Sequence, residues 1–209
     1  MAMKALCVAF FRGGVINSAF GHGYIKNPAA RNACWQHGFR DSCGEEWTMD
    51  EKNCGGFAAQ WRKNGGKCGG GGDPYHDKIQ KYVYPGSHAF GTITQTYLEG
   101  QEIELEFRVG DIGGGAITQD KLRYLLRLSD TGGGGWSHNI HVNGKKGLYK
   151  IKLHLPSGLT CKHCVLQWWW KTGNSWGCEM VNGKKKCGMG YGAQETFVNC
   201  ADIQINRRG

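Results

Sequence analysis

The chain has 209 residues, which is enough for one domain with a real core and too few for two domains of ordinary size. Its net charge is +9, but apart from the run 184–186 the lysines are scattered and no nucleic-acid-binding motif accompanies them. We therefore expect a solvated basic surface and no nucleic-acid partner. The 35 glycines follow no collagen period and cluster in turns, and the ten cysteines favour an oxidising compartment.

Residues 1–21 have the layout of a secretory signal peptide. Lys4 precedes the apolar run Ala5–Phe11, and the small residues Ala19 and Gly21 occupy the −3 and −1 positions of a cleavage site before His22. A buried N-terminal strand or a misassigned gene start are the alternatives. This apolar run is too short to span a membrane, and no other segment qualifies. We expect a secreted mature chain that begins at His22 and forms a single domain over residues 22–209.

Nine cysteines remain after such a cleavage, so at least one is unpaired or has its partner outside the chain. Four of them lie in the loop-like region 32–77, where we expect at least one disulfide, although the sequence does not define the pairing. Cys161 and Cys164 have the spacing of half a zinc site, but no second such pair completes it, so disulfides are favoured. A short helix is predicted near 58–63.

The rest of the chain alternates apolar and polar residues with a period of two, which is typical of strands. The clearest segments, each bounded by turn-forming residues, are 92–97, 103–109, 148–155 and 165–170. They predict an all-β, immunoglobulin-like or fibronectin-like antiparallel β-sandwich with long disulfide-tied loops. The run Trp168–Trp170 cannot face one way, because neighbours in a strand point to opposite faces. Either Trp169 alone or its two neighbours must face the core.

Several motifs, in this order, resemble the lytic polysaccharide monooxygenases of auxiliary activity family 15, whose members are often labelled chitin-binding type-4 domains. Together they span essentially the whole mature chain, which makes the set far more specific than any single motif. They are His22–Trp35 (HGYIKNPAARNACW), Cys54–Gly56 (CGG), Asn64–Cys68 (NGGKC), Gly72-Asp73, Ile117–Asp120 (ITQD), Leu155–Trp168 (LPSGLTCKHCVLQW), Gly173–Gly177 (GNSWG) and Gln194–Ile203 (QETFVNCADI).

This resemblance implies one copper ion in a histidine brace, in which the N-terminal histidine supplies its amine and a ring nitrogen and a second histidine supplies the third ligand. His22 is the matching N-terminal residue. Copper suits nitrogen ligands, and an α-amine loses its proton near neutral pH. The family uses an external reductant and dioxygen or peroxide to break chitin or cellulose oxidatively. By motif position, Phe197 would be the apolar axial residue and Glu195 a polar group near the reacting oxygen. Without the resemblance, Phe197 would be interpreted as a core aromatic. We expect a monomer.

The family segment that carries the second copper histidine has no counterpart here. The sequence runs directly from Gly100-Gln101 into Phe107–Val109, with the junction between Glu102 and Glu106. Either the segment belongs to a skipped exon, which the intact flanking motifs favour, or the protein is a variant without oxidative activity. The remaining histidines match no ligand position and are predicted to be surface or loop residues. They are His37, His76, His88, His138, His141, His154 and His163.

Two cysteines common in relatives are also missing, one where this chain has Gly70 or Gly71 and one at Tyr191. Three functions therefore stay open. The first is a copper-dependent polysaccharide monooxygenase acting on chitin or, next, cellulose. The second is a non-catalytic carbohydrate-binding protein that uses the surface around His22. The third is a secreted disulfide-rich protein that retains only the family's fold.

Overall fold

The computed structural model describes residues 22–109, 123–130, 135–141 and 147–209, with the backbone alone for 123–130 and 135–141. The predicted signal segment and the motif Ile117–Asp120 lie outside these residues. Within them, no helix is long and apolar enough to cross a membrane. The strands are β1 (Gly23–Asn27), β2 (Gln95–Leu98), β3 (Glu102–Val109), β4 (Arg123–Asp130), β5 (Gly135–His141), β6 (Gly147–His154), β7 (Cys161–Lys171), β8 (Trp176–Val181), β9 (Lys184–Met189) and β10 (Thr196–Asn206).

The strands form two packed sheets and a separate hairpin. One sheet has the order β1-β3-β6, the other has the order β2-β10-β7-β4-β5, and β8 pairs with β9 alone. Each of the four predicted strand segments overlaps one of β2, β3, β6 or β7, and the predicted β-sandwich is confirmed. The described strand pairings are antiparallel, except that β2 and β10 pair in parallel. Parallel strands cannot be joined by a hairpin, and a large part of the domain lies between these two strands in the sequence.

The core lies between the two sheets. The alternating residues Ile103, Leu105 and Phe107 of β3 point inward and meet large side chains from β7 and β10. Trp168 and Trp170 of β7 are fully buried there, whereas Trp169 lies on the other face and is half-buried. Of the two orientations predicted for the tryptophan run, the structure therefore has the one with Trp168 and Trp170 in the core.

The long segment between β1 and β2 covers the outer face of β10. It contains two 3₁₀ turns, at Cys34–Gln36 and Arg40–Ser42, and a π-helical turn at Ala58–Lys63, where a short helix was predicted. Disulfides Cys34–Cys43 and Cys54–Cys68 tie this segment together, which confirms the expected bridging of the loop region. Each disulfide closes a short loop and lowers the conformational entropy of the unfolded chain. This stabilises a segment that has little regular structure.

The other described disulfides lie in the strands. Cys161 is bonded to Cys164 within β7, and Cys178 to Cys187 across β8 and β9. The zinc alternative for Cys161 and Cys164 is therefore wrong. Cys200 in β10 is the free cysteine of the described residues, as the odd count required, and it is buried.

Charged and polar contacts, more than apolar ones, fasten the covering segment to β10. The Arg31 guanidinium donates from Nε and Nη2 to the two carboxylate oxygens of Asp202, at 2.7 and 2.5 Å. His163 Nε2 lies 2.7 Å from the same carboxylate, and Arg31 Nη1 donates to the carbonyl oxygen of Tyr82 at 2.5 Å. A bidentate pair of this kind fixes both position and orientation.

A second group of contacts surrounds Glu46. Burial alone would raise its pKa, but hydrogen bonds from Lys81, Tyr82 and Thr48 outweigh burial and hold the pKa well below its ordinary value. Because the folded-state pKa is depressed, this stabilisation is present above the pKa of the unfolded chain and is lost as the pH falls towards the folded value. The loop region is thus held by ionised groups at neutral pH.

Removal of the Arg31 guanidinium takes the bidentate cation from the buried Asp202 carboxylate and leaves it the His163 ring as a partner. We predict that Arg31→Met lowers the free energy of unfolding by about 3–5 kcal/mol. Arg40→Met is the control, because the Arg40–Glu45 pair is exposed and such pairs contribute about 1 kcal/mol or less. Urea unfolding under non-reducing conditions measures both. Equal losses in the two variants would contradict a special role for the Arg31–Asp202 pair.

The Cys200 thiol is predicted to be inert in the folded protein. It is 2% exposed, and burial raises its pKa to about 12. At pH 8 only roughly one molecule in ten thousand would then carry the reactive thiolate. A chromogenic disulfide reagent should label the chain that begins at His22 only after unfolding, with one equivalent per chain. Labelling of the native protein as fast as glutathione would contradict the burial.

Candidate active site

Strand β1 places His22 at one end of the sandwich. Gly23 pairs with Val109 of β3, and its N–H donates to the carbonyl of Asp50 at 2.9 Å. A Cβ atom at Gly23 would come within 3.0 Å of the Trp168 and Trp170 rings and 2.7 Å of the Arg108 carbonyl. Only glycine allows this close approach of the backbone, so the residue after His22 fixes the depth at which β1 packs.

The His22 side chain lies at the surface above Phe197. The two ring centroids are 6.3 Å apart and the planes are inclined at 64°. On its outer side, His22 Nε2 lies 3.5 Å from Glu51 Oε1, with 32% of the histidine side chain exposed. The imidazole therefore has an apolar ring beneath it and a carboxylate beside it, and it remains accessible from solvent.

Phe197 occupies the inner face of β10 and is almost fully buried. Its ring packs on Trp170, with centroids 5.2 Å apart, and the two residues are partners in the β10–β7 register. It is thus both the core aromatic that the strand pattern indicated and the residue beneath His22. A phenyl ring has no donor atom, so this side of His22 offers no metal ligand.

Glu195 immediately precedes β10 and is held by two loops. Asn53 Nδ2 donates to Oε1 and Asn174 Nδ2 donates to Oε2, both at 2.9 Å. The Glu195 carbonyl also accepts from the N–H and the hydroxyl of Thr172, each at 3.0 Å. Both carboxylate oxygens are therefore fixed, two residues before Phe197 on the same side of the chain.

Sequence reasoning missed Asn53 and Asn174 as partners of Glu195. The available signal was their position, since Asn53 directly precedes the Cys54-Gly-Gly motif and Asn174 lies inside the Gly173–Gly177 motif. Asn53 lies 142 residues and Asn174 lies 21 residues from Glu195 in the sequence, yet both contact its carboxylate. A shared site explains these loop residues better than solvation does.

The other histidines have different surroundings. His154 and His163 face Glu102 and Asp202, and His37 stacks on Tyr24 at 6.0 Å. The remaining loop histidines are His76, which lies 2.9 Å from the Asn64 amide, and His88, which lies 3.1 Å from the Glu45 carbonyl. The backbone of β5, with His138 and His141, lies three strand spacings, or about 14 Å, from β10. For the described side chains, the predicted surface or loop roles agree with these contacts.

The junction at which the motifs predict a missing histidine segment falls inside β3. This strand is continuous from Glu102 to Val109 and pairs with β6 residue by residue without a register shift. Residues 102–106 therefore form part of an unbroken strand.

A His22 amine freed by cleavage, together with the His22 imidazole, would suit copper as two of the three nitrogens of a brace. Among the residues whose side chains the structure describes, no group of three histidine, cysteine, aspartate or glutamate side chains is placed to hold a metal ion. The nitrogen donors at this position are therefore those of one residue, with Glu51 Oε1 lying 3.5 Å from its ring.

Comparisons with known proteins identify the family of this chain. The chain matches the family model for lytic polysaccharide mono-oxygenases, described as cellulose-degrading, over residues 22–112 and 116–203. No curated protein matches it. Among solved structures, a lytic polysaccharide monooxygenase of family AA15 from Thermobia domestica, in the Cu(I) state, is 32% identical, with a TM-score of 0.70 and coverage of 88% of this chain and 98% of its own.

A chitin-binding domain from Burkholderia pseudomallei is also similar, with 11% identity, a TM-score of 0.45 and coverage of 89% of this chain and 100% of its own, a likeness too weak to carry an argument. The family model and the Thermobia structure confirm the resemblance inferred from the motifs and the immunoglobulin-like sandwich that it implied. The chain belongs to the lytic polysaccharide monooxygenase family.

Proposed function

We propose that the protein is secreted as a monomer and cleaves a polysaccharide by copper-dependent oxidation, with chitin as the first candidate substrate and cellulose next. The observation that carries this proposal is the position of His22, which immediately precedes β1 and lies over the Phe197 ring, two residues after the fixed carboxylate of Glu195 in the sequence. The copper state of the Thermobia relative supports copper as the cofactor. An external reductant would supply electrons.

Covalent geometry selects the ring nitrogen that would hold the metal. The α-amine of His22 and its Nδ1 atom are separated by three carbon atoms, so together they close a six-membered chelate ring around one ion. Nε2 points away from the amine and lies 3.5 Å from Glu51 Oε1. A carboxylate at this position would orient the ring and favour the tautomer with the proton on Nε2. Glu51 is thus proposed as the positioning residue for the His22 imidazole.

Bound copper would supply the one-electron chemistry that lets dioxygen or peroxide attack a glycosidic C–H bond. The chain's own residues set the surroundings of that chemistry. Phe197 excludes water and further ligands from beneath the imidazole, because its ring is buried against Trp170. Glu195 is held from both of its oxygens, so it can present a polar group at a constant position while substrate binds.

A free amine at His22 is the requirement that separates this proposal from ordinary histidine binding. We predict that the chain cleaved before His22 binds one copper through the two nitrogens of His22 and gives a type-2 electron paramagnetic resonance spectrum with nitrogen coupling. Acetylation of the His22 α-amine should abolish this binding, because it converts the amine into an amide and supplies no new amine. His154→Ala is the control and should bind like the parent, since His154 is exposed and pairs with Glu102.

Weak and heterogeneous copper binding by the correctly cleaved chain would overturn the enzymatic proposal. Sequencing of the transcript across the codons for residues 98–110 would then separate its causes. An in-frame Asn-His segment would mean that the natural protein has a third ligand that this sequence lacks, whereas its absence would identify a variant without the brace.

A non-catalytic polysaccharide-binding role is the second candidate. It is favoured by the same finding that limits the first, namely that the described side chains bring no three metal ligands together. The polysaccharide surface would then surround His22 without redox chemistry.

A pull-down on crystalline chitin and cellulose distinguishes the two roles. For the enzyme, we predict soluble oxidised oligosaccharides that require both copper and a reductant and disappear in His22→Ala. Binding that persists in a chelator, without oxidised products under any condition, would establish the binding role instead. Mass spectrometry of the soluble fraction measures the products, and the bound fraction measures affinity. Absence of binding to either solid, with and without copper, would contradict both roles.

A further inference from the structure

The hairpin formed by β8 and β9 projects from the sandwich as a sheet of its own. Asn182 and Gly183 form its turn with positive φ angles of 50° and 75°, as the two-residue turn of a tight hairpin requires. Cys178 and Cys187 face each other in the register and are bonded. An isolated two-stranded hairpin is marginally stable in water, so the disulfide is what keeps this element rigid.

The two faces of the hairpin have different surroundings. One face carries Glu179, whose carboxylate accepts from the Gly192 N–H at 3.2 Å and lies 3.8 Å from Lys171 Nζ. This face rests on the body of the protein. The opposite face carries Trp176, Met180 and Lys185, which the strand register places on one side together with the disulfide.

The outward face is exposed along its whole length. Trp176 is 72% exposed and Met180 is 67% exposed. The two residues are four positions apart on one strand, which corresponds to about 13 Å. An indole on a rigid support at the surface offers a flat apolar ring with a polar N–H, a combination that is common where proteins bind amphipathic partners.

The same hairpin concentrates positive charge. Lys184, Lys185 and Lys186 are consecutive and exposed, and the structure gives them no carboxylate partner among the described residues. Several other lysines are instead in ion pairs: Lys26 with Glu106, Lys52 and Lys81 with Glu46, Lys150 with Glu104 and Lys152 with Glu102. The run 184–186 is the longest stretch of consecutive basic residues in the described part of the chain, and it lies on the same hairpin as the exposed Trp176.

We propose that this hairpin, with Trp176, Met180 and Lys185 on its outer face and with Lys184 and Lys186 exposed on the other side of the same strand, binds an anionic polysaccharide. The lysines neutralise its sulfate or carboxylate groups, and the apolar face of a sugar ring stacks on Trp176. The four described disulfides indicate an oxidising compartment, in which acidic glycans rather than nucleic acids are the polyanions at hand. The proposed binding needs no metal and does not rest on the proposed redox function.

Heparin is a suitable probe because it combines sugar rings with a high density of sulfate. Binding of the full protein to immobilised heparin is measured at several NaCl concentrations, with a chelator present throughout. Replacement of Lys184, Lys185 and Lys186 by serine is expected to lower the slope of log K against log [NaCl] by roughly two to three, since each neutralised charge contributes about 0.9 on a polyanion such as DNA. Trp176→Ala is expected to weaken binding roughly two- to tenfold without a change of slope.

The control removes the same charge elsewhere. Lys63, Lys78 and Lys162 are exposed, scattered over the covering loops and β7, and their replacement by serine also lowers the net charge by three. This variant should keep most of the affinity and the slope. If both triple variants lose affinity equally, the binding reflects net charge and the proposed site is wrong.

Comparison of polyanions tests the occupant. Heparin is expected to bind more tightly than single-stranded DNA or vesicles of anionic phospholipid at the same ionic strength, and only heparin binding should depend on Trp176. Tighter binding of DNA or vesicles would overturn the polysaccharide assignment. The heparin measurements are made with a chelator present, so they do not depend on copper binding at His22. Failure of this proposal can therefore be distinguished from failure of the redox proposal.

Discussion

Strand β10 buries side chains on both of its faces, and this double burial sets the positions of the core, the covering loops and the site. Its inner face contributes Phe197 and Ile203 to the core between the sheets. Its outer face contributes Thr196 and Asp202, which bond to the segment between β1 and β2. A strand in such a position needs hydrogen-bond partners for the polar side chains that face the loops. It also needs apolar side chains on the face that packs against the other sheet. The alternation along β10 does both.

The start of β10 carries the site for the same reason. Glu195 and Phe197 lie at the start of β10, at one end of the sandwich. The pairing of Gly23 with Val109 places the start of β1 in the other sheet at the same end. The Gly72 backbone and the Cys54–Cys68 disulfide hold the loop that brings Asn53 to Glu195. Packing of Gly23 on the two core tryptophans gives His22 a defined place, and its ring also contacts Phe197 and lies 3.5 Å from Glu51.

The sequence predicted what depends on local pattern and left open what depends on distant contacts. Period-two alternation identified four strands, and the odd cysteine count required a free thiol, which is Cys200. The pairings Cys34–Cys43 and Cys54–Cys68 could not be derived, because four cysteines allow three connectivities. The ion pair between Arg31 and Asp202 joins residues 171 apart, and no local signal marks either as a partner of the other. The same holds for the amides that hold Glu195.

The motif resemblance supplied the roles of His22, Glu195 and Phe197, and the structure adds a physical ordering among them. Phe197 is required by the core whether or not copper binds, so its presence alone says little about redox activity. Glu195 is different, because two amides from separate loops fix a carboxylate that no core contact requires. His22 is different again, since its ring is partly exposed over an apolar side chain and its Nε2 lies 3.5 Å from Glu51 Oε1. Packing of the core therefore explains Phe197, whereas no core contact requires the positions of the Glu195 carboxylate and the His22 ring.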